Sequence, residues 1–114
     1  MFNGAFSRRS GLAYVHSGAI HPFHSVMTLD EIGYKTNHYR LAIPLDVYID
    51  FDGHGFAIHN EDVSCRGEGD TFEEAIGDFS SEFVSRIHIA NKYGRKGNDI
   101  ADRIMYHVEG FRCA

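Results

Sequence analysis

From Leu41 to Asp52 the chain reads LAIPLDVYIDFD, an unbroken alternation. Leu41, Ile43, Leu45, Val47, Ile49 and Phe51 fall on one side, and Ala42, Pro44, Asp46, Tyr48, Asp50 and Asp52 on the other. Successive side chains of a strand point to opposite faces, so this is the pattern of a half-buried strand with one apolar and one acidic face. Pro44 has no N–H to give to a ladder and suits an edge position or a bulge near the start. Asp52 to Gly55, DGHG, has turn chemistry. The chain then returns as FAIHN, with Phe56 and Ile58 facing one way. EDVSCRGEG supplies a third strand, with Val63 and Cys65 inward and Ser64, Arg66 and Glu68 outward. Three short strands with tight connections make an antiparallel meander.

A helix follows at once. Thr71 and Glu74 have capping-box spacing, and Asp70 with Glu73 offers an equally good start. Phe72, Ala75, Ile76, Phe79, Phe83 and Ile87 recur at helical spacing, which predicts an amphipathic helix over Thr71–Ile89 that covers the Leu41–Phe51 face. Gly77 inside it costs about 1 kcal/mol against alanine and suggests close approach to another backbone. Gly94 marks the stop, with Lys92, Arg95 and Lys96 near the negative helix end. A second helix is predicted from Ile100, Ile104, Val108 and Phe111, capped by Asp99 and stopped by Gly110. Upstream, residues 1–26 show no period. Thr28 and Glu31 have capping spacing for a short helical turn that stops at Gly33. The reading is therefore one α+β domain over residues 41–114, a three-stranded meander on one amphipathic helix plus a short C-terminal helix. Residues 1–40 form an N-terminal extension without an assigned structure.

Composition limits what such a domain does. At 114 residues, 43% hydrophobic and 13% aromatic, the chain can build one small core. No stretch approaches the roughly 18–20 apolar residues of a membrane span, and the N-terminus lacks the apolar run of a secretory signal. Cys65 and Cys113 have no metal or redox spacing, so free thiols in a reducing cytoplasm are expected. Charge is uneven. Residues 41–90 carry eleven acidic and two basic side chains, whereas the flanking segments are each slightly basic. An acidic middle repels nucleic-acid phosphates and attracts basic partners.

The corner RGEGDTFEEA raises the possibility of a phosphate cradle, because a glycine-rich turn opening a helix can hold one. Gly67 and Gly69 give G-x-G without a third glycine or a following Lys-Ser/Thr pair. Asp70, Glu73 and Glu74 fill the first turn where a phosphate would sit. The glycines are therefore assigned to the turn, and Asp70, Thr71 and Glu74 to the cap. Asp50, Asp52 and Asp70 could hold two metal ions as in ribonuclease-H-like enzymes, or serve as strand, turn and cap residues. His16, His21 and His24 lack helical ligand spacing and a Cys-x-x-Cys partner. His54 and His59 are expected to be solvated, and His88 and His107 to lie at the surface. Cys65, on the core face, is expected to be inert. Neither cofactor nor metal is expected. The clusters Arg8–Arg9 and Lys92, Arg95 and Lys96 are too small for a nucleic-acid surface, and the last helix is too short for a helix-turn-helix reader.

The stretch VYIDFDGHGFAIHNEDVSCRGEGDTFEEAIGDFSSEF resembles the HicB-like antitoxin domain. The residues that carry the likeness are Asp52, Gly53, Gly67, Gly69, Thr71, Glu73, Glu74, Ala75 and Ile76, and it spans about residues 41–90. It implies a β-β-β-α unit related to a degraded ribonuclease-H-like fold, without catalysis. Such a domain covers the active surface of a small basic toxin of double-stranded-RNA-binding shape and forms dimers or tetramers. Many relatives add a C-terminal DNA reader, which this sequence does not show. The partner-binding face expected here comprises Asp46, Asp50, Asp52, Asp62 and Glu68, with Tyr48 as aromatic anchor. Two other readings stand beside it. One is a phage- or mobile-element-encoded inhibitor of a host nucleic-acid-handling protein, and the other is a metal-dependent hydrolase.

Overall fold

The alternation that starts at Leu41 belongs to a strand longer than its apolar pattern. The computed structural model describes residues 21–110. Strands β1 (Phe23–Tyr34), β2 (Asn37–Phe51), β3 (Phe56–Asn60) and β4 (Cys65–Gly69) precede helices α1 (Phe72–Tyr93) and α2 (Asp99–Glu109). The four strands lie in chain order in one antiparallel sheet. The expected meander is there: Tyr48 to Phe51 pair with His59 to Phe56, and Phe56 to Asn60 pair with Gly69 to Cys65. A fourth strand flanks it. The described residues form an α+β fold of four strands and two helices.

That fourth strand, β1, corrects two expectations. Thr28 and Glu31 do not open a helical turn, and residue 41 is not a boundary, because it lies inside β2. Residues 23–40, read as part of an extension, form a hairpin with the rest of β2. The reason is a slip in register. Phe23 to Leu29 pair with Phe51 to Leu45, and Glu31 to Tyr34 pair with Arg40 to Asn37. Between the two runs, Asp30 stands against the four residues Leu41 to Pro44. Pro44 falls in this break, where its missing N–H leaves no ladder bond unmade. The slip also reverses which side chains of β1 face inward: Met27 and Leu29 are buried before it, Ile32 after it. Residues 1–20 and 111–114 lie outside the described residues, and with them Arg8, Arg9, His16, Phe111 and Cys113.

The core fills the space between the sheet's apolar face and α1. Leu45, Val47 and Ile49 of β2 meet Ile58 of β3, Cys65 of β4 and Ala75, Ile76, Phe79, Phe83 and Ile87 of α1, with Ile104 and Met105 of α2 closing one end. Ile43, expected inward, falls in the register break and is half-buried. Its carbonyl accepts a hydrogen bond of 2.9 Å from Nδ1 of His107, which is thereby part-buried rather than a surface group. His88 is exposed, as expected.

Both helices start and stop on sequence signals. Thr71 caps α1, accepting from the Glu74 amide at 3.1 Å, and Glu74 accepts from the Asp70 amide at 2.9 Å. Gly94 ends it at φ 85°, a left-handed conformation that favours glycine. For α2 the cap is Asn98, not Asp99. The Asn98 side chain accepts from the Ala101 amide at 3.0 Å, and Asp99 moves into the first turn, where its charge meets the positive helix end. Gly110 ends α2 at φ 88°. No described helix is long and apolar enough to cross a membrane.

Gly67 and Gly69 are not turn residues. Both lie in β4, and neither has positive φ. They give room. A Cβ on Gly67 would overlap the backbone N of Phe79 and the carbonyl O of Ala75, and one on Gly69 would lie 2.8 Å from the Ala75 amide nitrogen. The G-x-G spacing thus lets α1 lie directly against the backbone of β4.

Candidate partner-binding face

The parity that buries the odd-numbered side chains of β2 turns the even-numbered ones to the opposite face of the sheet. The buried side chains of both helices join one core on the other side, so among the described residues this face is uncovered. Strand register sets its pattern. One row runs His24, Asp50, Ala57, Glu68 across all four strands, and the next runs Val26, Tyr48, His59, Arg66. Thr28 and Asp46 begin a third. Val26 and Tyr48 stand side by side, 53% and 45% exposed, as an apolar centre among charges.

Of the six residues expected to bind a partner, Asp46, Tyr48, Asp50 and Glu68 come together on this face. Asp46 accepts from the Thr28 hydroxyl at 2.7 Å, and Glu68 accepts from Nε of Arg66 at 2.7 Å. Asp52 stands at the rim, where its carboxylate accepts from the amides of His54 and Gly55 at 2.8 and 2.9 Å and so builds the turn. Those two bonds, the Gly55 one foremost, hold its carboxyl below the usual value. Asp62 lies in the turn between β3 and β4, outside the paired rows, and its backbone carbonyl accepts from Arg103. An open concavity of about 680 Å³ borders the face, lined by Asp50, Asp52, Ala57, Arg66, Glu68 and Asp70 among others.

Sequence reasoning placed Asp50 but missed what holds it. Nδ1 of His24 lies 2.6 Å from one carboxylate oxygen, and Nε2 of His59 lies 3.1 Å from the other. The carboxylate accepts both bonds, so each histidine presents N–H to it. The His59 ring also packs against Tyr48, centroids 5.8 Å apart. Its Nδ1 is 3.5 Å from a Glu61 oxygen without forming a hydrogen bond. No local signal marks His24 as a partner of Asp50. The pairing depends on β1 being a strand and on the slip at Asp30.

The hydrogen bond from His24, supported by that from His59, holds the Asp50 carboxyl below its usual value against a smaller opposing effect of burial. A carboxyl whose folded-state value lies below its unfolded value adds stability above the unfolded value, and that contribution is lost as pH falls through the folded one. Asp50→Asn is therefore expected to lower stability at neutral pH. The group is substantially exposed, so the loss should be under about 1 kcal/mol. The difference from wild type should close as pH falls below the ordinary aspartate range of about 4. Paired denaturant titrations at neutral and acid pH measure both.

Among the described residues no group of three or more His, Cys, Asp or Glu side chains is arranged to hold a metal ion. Of the first-turn amides of α1, that of Glu74 is taken by the Thr71 hydroxyl, and the Glu74 carboxylate sits at the same helix end, accepting from the Asp70 amide. Cys65 is buried, and burial pushes its thiol up to about 12, far from a nucleophilic thiolate. Comparison with protein-family models, with curated proteins and with solved structures gives no match.

Proposed function

We propose that this uncovered face is a protein-docking surface of the HicB-like antitoxin type, which acts by lying over a basic surface of its partner. The observation that carries the reading is the grouping of Asp46, Asp50 and Glu68 around exposed Val26 and Tyr48 on a sheet face with no described helix above it. Carboxylates around an aromatic and aliphatic centre have the make-up of an interface: the charges steer and select a cationic partner, and the apolar centre supplies desolvation energy. The proposed partner is a small basic protein of toxin type. The domain would act without catalysis or a cofactor, as a dimer or tetramer, in a reducing cytoplasm that keeps Cys65 a thiol.

The test is the double charge reversal Asp46→Lys/Asp50→Lys. Neither residue faces the core, so stability should stay within about 1 kcal/mol of wild type. Affinity for the product of an adjacent reading frame encoding a small basic protein should fall at least about tenfold, the scale of replacing attraction by repulsion at two contact charges. Isothermal titration of both proteins measures it, and equal affinities would reject the assignment of this face.

A further inference from the structure

Asp50 is the one carboxylate on the face whose two oxygens are both held by histidines, and the two histidines are held very differently. The His59 side chain is 21% exposed and packed on Tyr48. The His24 side chain is 88% exposed, near the end of β1, and among the described residues its one hydrogen bond is to Asp50. Histidine is also the side chain whose charge ordinarily changes between about pH 5 and 8.

Resting on the acidic-face reading, we propose that His24 is a proton-operated latch on Asp50, and that a cationic partner and protons compete for this carboxylate. With His24 neutral, the latch is a single hydrogen bond on an exposed ring, and an arginine or lysine from the partner can displace it. Protonated, His24 is itself a cation seated on Asp50, and His59 beside it adds a second. Apart from the two histidines, the charged groups around the pair come from β2, β4 and the turns after β2, β3 and β4. Asp46, Asp50, Asp52, Glu61, Glu68 and Asp70 bring carboxylates, Arg66, paired with Glu68, brings the guanidinium, and His54 lines the same concavity as Asp50. Six carboxylates against one guanidinium leave the patch five charges negative with both histidines neutral and three negative with both protonated. A positive partner therefore loses part of its attraction as the histidines charge, and by linkage its binding must expel protons from them.

Two measurements decide this. The first needs no partner: the carboxyl ¹³C titration of Asp50 in wild type and in His24→Ala. If the latch exists, removing it moves the Asp50 midpoint upward, toward the ordinary aspartate value. An unchanged midpoint overturns the latch whatever the face binds. The second uses a nona-arginine peptide as probe, at low salt, at about pH 7.5 and 5.5, the two sides of the usual histidine range. Wild type should bind about tenfold more weakly at the lower pH, and His24→Ala/His59→Gln should show less than about a threefold change. A double variant that keeps the full pH dependence overturns the competition. A peptide that binds wild type at neither pH removes the acidic-face reading itself and the competition with it, an outcome distinct from an unmoved Asp50 midpoint.

Discussion

Gly67→Ala is expected to destabilise the fold by about 3 kcal/mol or more, although it adds a single methyl group. Alanine within a strand is ordinarily better than glycine by about 0.5–1 kcal/mol. Here the sign reverses because the atoms in the way are backbone. The new Cβ would overlap the Phe79 amide nitrogen and the Ala75 carbonyl, and would lie 2.8 Å from the Phe79 Cα. No rotamer change relieves that. α1 must lift from β4 by roughly 1 Å, and Ile76, Phe79 and Phe83, all buried, move with it. Urea unfolding midpoints of the two proteins measure the loss. A variant within 1 kcal/mol of wild type would mean that α1 does not rest on β4 as described.

Phe79→Ala is expected to cost about 3–5 kcal/mol, the range for emptying a fully buried aromatic site. Phe79 has no exposed surface and stacks on Phe83 with ring centroids 6.4 Å apart. It occupies the turn of α1 directly over Gly67, so the backbone contact there and the side-chain contact beneath share one point of the structure. Against a total stability of about 5–15 kcal/mol for a domain of this size, such a loss leaves a measurable unfolded population at room temperature. Phe79→Leu, which keeps most of the volume, should lose less than about half as much. Chemical denaturation of both variants, read by far-ultraviolet circular dichroism, gives the two values. Equal losses would show that volume at this site is not what matters.

The two substitutions also show which parts of the fold can be read from the chain. The alternation from Leu45 to Phe51, the apolar spacing from Phe72 to Ile87 and the cap at Thr71 are local patterns, and each carries its own physical consequence. β1 was hidden because its pattern is not strand-like. Leu29 and Ile32 are both buried at a spacing of three, as on a helix, and Thr28 and Glu31 imitate a capping box. The buried spacing of three comes from the register slip at Asp30, a property of the pairing with β2, and the capping-box likeness is a coincidence of sequence. The candidate face was half legible for the same reason. Asp46, Tyr48, Asp50 and Glu68 follow from strand parity, whereas His24 joins Asp50 only through that pairing. Gly67 and Gly69 were visible as a motif, but their part in helix packing was not, since a glycine in a turn and a glycine under a helix look alike in one dimension.

Because the strands stand in chain order and the helix that covers them comes afterwards, synthesis meets a vulnerable interval. Every ladder bond of the sheet can form once Gly69 has left the ribosome, by closing short hairpins of neighbouring segments. The greasy side of that nascent sheet stays wet until the next two dozen or so residues emerge, at about 5–20 residues per second. Premature termination in this window would release a hydrogen-bonded but unlidded sheet, a species prone to clumping. A partner bound to the polar side would do nothing to shield it.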